Sequence, residues 1–252
     1  SVTIPDHVSS IGIHSFSNCS SLTIITSPSS VSSIGSSAFQ NCSSLTSITI
    51  PDSVSSIENN VFRSCNNLSS IIIPGSVSSI GSSAFNGCTS LNNVTIPSSV
   101  ASIGSNAFRD CSGLTSITIP GSVTSIGSSA FYNCSGLTSI IIPDSVTSIG
   151  SSAFYNCSNL ASAQFDGDAP TSIGSQVFDN TQVSYTIVGA ANAASYGGDG
   201  GTYGGLVVVD YSKIATGQYL YTQSEYDAKL FIEEERIYRN FLRAIFDMFL
   251  AS

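Results

Sequence analysis

The sequence predicts an α/β solenoid of about seven stacked 23-residue repeats, then a C-terminal cap and a terminal amphipathic helix. Three observations predict it. Val8, Val31, Val54, Val77, Val100, Val123 and Val146 recur at one spacing, and so do Phe16 to Phe154 and Leu22 to Leu160. A fixed period in this range is the mark of stacked units that each contact only their neighbours. Each unit contains a short run such as Leu137-Thr-Ser-Ile-Ile-Ile142, rich in β-branched residues and ended by Pro143, which reads as a strand closed by a turn. From Ser224 onward the columns vanish, charged residues become frequent, and apolar residues recur three to four apart.

Within the strand, Ile140 and Ile142 point to one side, so Ser139 and Ile141 point to the other. The return arc, Val-x-x-Ile-Gly-x-x-Ala-Phe-x-x-Cys, has apolar residues three to four apart and a glycine at the bend, and is expected to form a short helical or 3₁₀-like turn. One such unit cannot offset the entropy of ordering its own backbone, so stability must come from stacking, and the ends of the stack need covers.

Charged residues make up 9% of the chain against roughly 25% in an average soluble protein, and Ser, Thr and Asn fill the positions between the apolar columns. The net charge is −9, which is the wrong sign for a nucleic-acid groove. No apolar run reaches the ~18 residues of a membrane span, and no basic and then apolar leader opens the chain. The start, Ser1-Val-Thr-Ile-Pro5, aligns with Ser47-Ile-Thr-Ile-Pro51 in mid-unit, so the chain is expected to be a piece of a longer protein.

All seven cysteines, Cys19, Cys42, Cys65, Cys88, Cys111, Cys134 and Cys157, share one column. Neighbours about 5 Å apart could be bridged. Parallel side chains, an odd count and a spacing equal to the repeat favour a ladder of buried free thiols packing as small apolar groups.

The pattern Leu-x-x-Ile-x-Ile-Pro-x-x-Val-x-x-Ile-Gly-x-x-Ala-Phe-x-x-Cys resembles the BspA-like (Treponema pallidum-type) class of leucine-rich repeat over residues 1–165. The resemblance implies a right-handed arc with a concave parallel sheet, in surface or secreted proteins that bind other macromolecules. Departures are Ser27 for a strand Ile, Glu58 for the bend Gly, and Ala163 and Phe165 in the last strand. Three segments follow: the solenoid at 1–165, a degenerate repeat and cap at 166–210, and a linker and amphipathic helix at 211–252. After Phe165 the period slips to 24, and Tyr185–Val188 and Leu206–Val209 read as two last strands joined by a Gly-rich loop.

Ser224-Glu-Tyr-Asp227 resembles a capping box, acids precede Arg236, Arg239 and Arg243 as the helix dipole prefers, and the apolar residues form one face. Leu230, Ile237, Phe241, Leu242, Ile245 and Phe249 on that face are expected to dock, either on the chain's own cap or on a protein partner.

Candidate chemistry is sparse. His7 and His14 occupy positions that carry Ser30 and Ser37 in the next unit, and read as exposed turn residues. The loop 196–205 has glycines but no phosphate-loop Lys-Ser/Thr ending, and Asp166 and Asp168 alone make a poor cation site. Asn18, Asn41, Asn133 and Asn156 precede Cys-Ser and fit the glycosylation pattern, as do Asn67 and Asn93, but four of the six follow from the repeat itself. Serines without a matched His and acid do not make a hydrolase. No catalytic residue, cofactor or metal is assigned.

The expected function is non-catalytic recognition or adhesion by the outward columns of the sheet, Ser47, Thr49, Ser70, Ile72, Asn93, Thr95, Ser116, Thr118, Ser139 and Ile141. The partner is a protein or a glycan, and the setting that the resemblance implies is extracellular or the cell surface. The alternatives are a structural subunit docked through the C-terminal helix, and ice or polysaccharide binding by the hydroxyl columns, against which Ile72 and Ile141 count.

Overall fold

The computed structural model describes residues 1–183 and, beyond them, the backbone of the strands Tyr185–Val188, Thr202–Tyr203 and Leu206–Asp210. The segment 211–252, and with it the expected docking helix, lies outside the described residues.

Each unit carries two strands rather than one. The first sheet is built from Val2–Thr3, Ile24–Thr26, Ser47–Ile48, Ser70–Ile72, Asn93–Thr95, Ser139–Ile142 and Ser162–Phe165, continued by Tyr185–Val188 and Leu206–Asp210. The second is built from the dipeptide strands Ser10–Ile11, Ser33–Ile34, Ser79–Ile80, Ser102–Ile103, Ser125–Ile126, Ser148–Ile149 and Ser172–Ile173. Pairing between units is parallel and in register with the repeat, as in Ser125↔Ser148 and Ile140↔Ala163. Where the period slips, the register absorbs it, and Ser148 pairs with Ser172. Thr202–Tyr203 falls inside the Gly-rich stretch expected to be a plain loop, and pairs antiparallel with Leu206–Asp210.

The first sheet is not continuous. Ser47–Ile48 does not pair with Ser70–Ile72, and the stretch 116–119 belongs to no strand. There the units are joined by a long Thr138 N–H to Thr115 O bond of 3.4 Å.

The helical reading of the return arc is corrected: among the described residues there is no helix, and the arc is a chain of overlapping turns. In one unit Ala38, Gln40 and Cys42 N–H donate to Gly35, Ser37 and Phe39 carbonyls. The alternate groups, Ser37, Phe39 and Asn41 N–H, instead donate to Asn59, Val61 and Arg63 carbonyls of the next unit at 2.7–2.9 Å. A helix would spend all of these donors within its own segment, whereas here half of them tie one unit to the next. The geometry requires left-handed backbone at two positions per unit, for example Ser37 (φ 58°) and Asn41 (φ 61°). The second of these positions is held by Asn18, Asn41, Asn133, Asn156 and Asn180, by Asp110, by Gly87 and by Ser64, and all but the serine are residue types that tolerate that region best. This conformation accounts for the asparagine before Cys-Ser.

The apolar columns close over one another between the two sheets and the arc. Phe39, Phe62, Phe85, Phe108, Phe131 and Phe154 are fully buried and stack with ring centroids 5.1–5.7 Å apart. The serine before each valine is half-buried or exposed and donates its hydroxyl to the preceding unit's valine carbonyl, as in Ser76 Oγ to Val54 O at 2.6 Å. Ser27, in an isoleucine column, has a buried hydroxyl with no partner.

The cysteines are free. Six are buried, and each of these donates its thiol to a phenylalanine carbonyl, as Cys88 does to Phe62 O at 3.1 Å. Burial pushes Cys42 up to about 11 and Cys88 up to about 12. Cys19 departs from the expected buried ladder and is exposed, because no described residue covers the outer side of the first unit. Val8 and Phe16, in the same unit, are likewise only half-buried.

Candidate recognition face

The alternation that buries Ile71, Val94, Ile117 and Ile140 turns their neighbours outward. All ten residues singled out on the first sheet, from Ser47 to Ile141, are exposed. Register brings some of them together: Ser70 lies beside Asn93, Ile72 beside Thr95, Ser139 beside Ser162, and Ile141 beside Gln164. Ser116 and Thr118 are exposed in the unpaired stretch, so they share the side but not the ladder. None of the ten is charged. The face is two rows of short hydroxyl and amide groups interrupted by Ile72, 80% exposed, and Ile141, 51% exposed. Such a surface can hydrogen-bond and offer apolar footholds at Ile72 and Ile141 and at Ile24, 47% exposed beside Ser47; the ten residues include no acid and no base.

The other candidates are not brought together. His7 and His14 are exposed. Asp166 is exposed and accepts from Gln164 Nε2 at 2.7 Å, and among the described residues no cluster of three metal-binding side chains occurs. The asparagines of the repeat are engaged with each other: Asn41 Nδ2 donates to Asn18 Oδ1, Asn156 Nδ2 to Asn133 Oδ1, and Asn133 Nδ2 to Asp110 Oδ1, all at 2.8–2.9 Å. Among the described residues no helix is long and apolar enough to cross a membrane.

Two features escaped the sequence reading. On the arc, the Arg109 guanidinium lies 4.3 Å from the Tyr132 ring centroid, and Tyr132 stacks on Tyr155 at 5.1 Å. The signal was present, since 109, 132 and 155 are one period apart. The second is a cleft beside Glu58, which the replacement of the bend glycine could have located.

The BspA type leucine rich repeat region, in six copies, matches residues 1–112 and 78–194. Among solved structures, the chain is similar to a leucine-rich repeat protein from Eubacterium ventriosum, 27% identical over 64% of this chain and 44% of that one, with a TM-score of 0.54. It is also similar to a leucine-rich repeat protein from Bacteroides ovatus (29% identity, 83% of this chain and 68% of that one, TM-score 0.49). A third is the leucine-rich repeat protein of Treponema pallidum (29% identity, 71% and 74%, TM-score 0.49). The search of curated proteins returned no match. The family match spans well over half of the sequence and coincides with the stacked units described above, and the chain belongs to the BspA-type leucine-rich repeat family.

Proposed function

We propose that this protein is a non-catalytic recognition scaffold of a cell-surface or secreted protein, which holds an extended segment of a protein partner against the outward face of the first sheet. The observation that carries the reading is the pair Ile72 and Ile141, large side chains left exposed among short polar ones on a face that packing has no need to make apolar. Scattered exposed apolar residues are ordinary on any surface. These two stand out because the same column is otherwise Thr26, Thr49, Thr95, Thr118 and Gln164. Each serves as an anchor around which the Ser, Thr and Asn side chains exclude water and bond to a partner's main chain. Membership of the family supports a surface setting.

The test is peptide-display selection on the immobilised full chain. Enriched peptides should bind the unmodified protein, lose binding when Ile72→Lys and Ile141→Lys are introduced together, and keep it with Ser125→Lys and Ser148→Lys on the second sheet. The reverse pattern would remove the first sheet from the mechanism.

A further inference from the structure

The bend glycine is required by close approach: a Cβ on Gly104 would meet the Gly81 backbone at 2.6 Å, and one on Gly127 would meet Ser105 N at 2.4 Å. With glycine there, the bend N–H donates to the preceding unit's isoleucine carbonyl, as in Gly81 to Ile57, Gly104 to Ile80 and Gly127 to Ile103. Glu58 cannot approach so closely, and the ladder parts at this junction. The Glu58 N–H does not reach the Ile34 carbonyl, and the Ser55 N–H does not reach the Ser32 carbonyl, although both bonds exist at the other junctions of the described second sheet, with Ser172 as the second donor at the last one. Two amide donors and two carbonyl acceptors are thereby left without their ladder partners.

The gap opens into a cleft of about 430 Å³, lined by Ile13, Ser33, Ile34, Val54, Ser56 and Glu58 among others. Among its lining residues the Ser56 hydroxyl donates to Glu58 Oε1 at 2.6 Å, which fixes the carboxylate on the cleft wall. A second departure from the repeat converges on the same place. Ile13, 68% exposed, stands in a column that is otherwise Ser36, Asn59, Ser82, Ser105, Ser128 and Ser151. The cleft thus combines a carboxylate, unpaired amides, unpaired carbonyls, hydroxyls and one exposed branched apolar side chain. The intact arc bonds beside it, Ser37 N–H to Asn59 O at 2.9 Å and Phe39 N–H to Val61 O at 2.9 Å, confine the opening to the neighbourhood of the bend.

We propose that this cleft is a saccharide site, distinct from the first-sheet face and taking a single neutral pyranose unit. A sugar hydroxyl both donates and accepts, so adjacent hydroxyls can satisfy the freed N–H and C=O groups together. The Glu58 carboxylate accepts from a pair of neighbouring hydroxyls, and the ring's C–H face lies on Ile13. A continuous peptide strand would need the junction opened along its length, which the arc bonds prevent, and an anion is repelled by the carboxylate.

Saturation-transfer NMR on the full chain, with the methyl glycosides of glucose, galactose, mannose and N-acetylglucosamine as probes, tests this. At least one should receive transfer from the unmodified protein. Glu58→Gly, which restores the repeat and closes the ladder, should abolish the signal. Glu58→Gln, which keeps the Cβ and hence the opening, should bind about tenfold more weakly because a charge-assisted bond is lost. The Ile72→Lys, Ile141→Lys protein should bind the sugar normally, which separates this site from the first-sheet reading. No transfer with any probe, or equal transfer to the Glu58→Gly protein, overturns the proposal.

Discussion

From Ser79–Ile80 to Ser172–Ile173 the second sheet is an unbroken five-stranded ladder, whereas between Ser33–Ile34 and Ile57 it is parted, with Ile57 held by a single bridge to Ile80. The two regions share valine, phenylalanine, cysteine and leucine columns and differ at the bend. The widest step in the phenylalanine stack, 5.7 Å between Phe39 and Phe62, sits at the parted junction, while the steps from Phe85 to Phe154 are 5.1–5.3 Å. The hydrophobic columns therefore hold the units together even where the ladder fails, and one added Cβ decides whether neighbouring backbones meet.

The largest expected effect is alkaline. Buried thiols whose folded values lie above the ordinary 9.0 stabilise the fold fully below pH 9, and that contribution is lost as pH rises toward the folded values. With Cys88 near 12, its thiol alone removes roughly 4 kcal/mol by pH 12, and Cys42, Cys65, Cys111 and Cys134, also raised by burial, add to this. Urea midpoints measured from pH 7 to pH 11 should hold and then fall steeply above pH 9. A flat profile would mean that the thiols titrate normally in the folded state. At neutral pH one thiol, Cys19, should react with Ellman's reagent before denaturation and the other six only after it.

Next comes the stack. Phe108→Ala, in the regular region, should cost about 3–5 kcal/mol because close neighbours on both sides cannot collapse into the void. Phe39→Ala, beside the looser step, should cost less. Equal losses in chemical denaturation would show that the parted junction packs as tightly as the rest.

Transplanting the fault is a third test. Gly104→Glu should cost about 1–3 kcal/mol, from two lost ladder bonds and a shifted backbone. Glu58→Gly should gain about 1 kcal/mol and slow hydrogen exchange at the amides of residues 55 and 58. No change in exchange would mean that something other than the glutamate parts the strands.

The smallest effect concerns the exposed first-sheet face. Ser116→Lys and Thr118→Lys together should move stability by less than about 0.5 kcal/mol, since neither side chain packs. A larger loss in thermal unfolding would show that this unpaired stretch depends on its side chains.

Much of this was legible in the sequence. A strict 23-residue translation places like residues on like residues, which dictates parallel in-register strands, and alternation within Leu137–Ile142 dictates which side chains are buried. The columns of Val, Phe, Cys and Leu identified the core, and the slip after Phe165 located the change in register. The dipeptide strands such as Ser125–Ile126 were missed because two residues are too short for periodicity to show.

The sequence by itself determined the period, the buried columns, the strand that precedes most of the prolines and the free thiols, because each follows from identical units covering one another. Only the tertiary structure decided the rest. Apolar residues three to four apart suit a helix and a run of turns equally, and the choice fell to Ser37, Phe39 and Asn41 N–H groups finding acceptors 22 residues away. Likewise, Glu58 is visible as an exception in the sequence, but the bonds it removes belong to residues 32 and 34, one unit upstream. Both outcomes depend on which neighbour a backbone group meets across the stack, and that distance is fixed by packing.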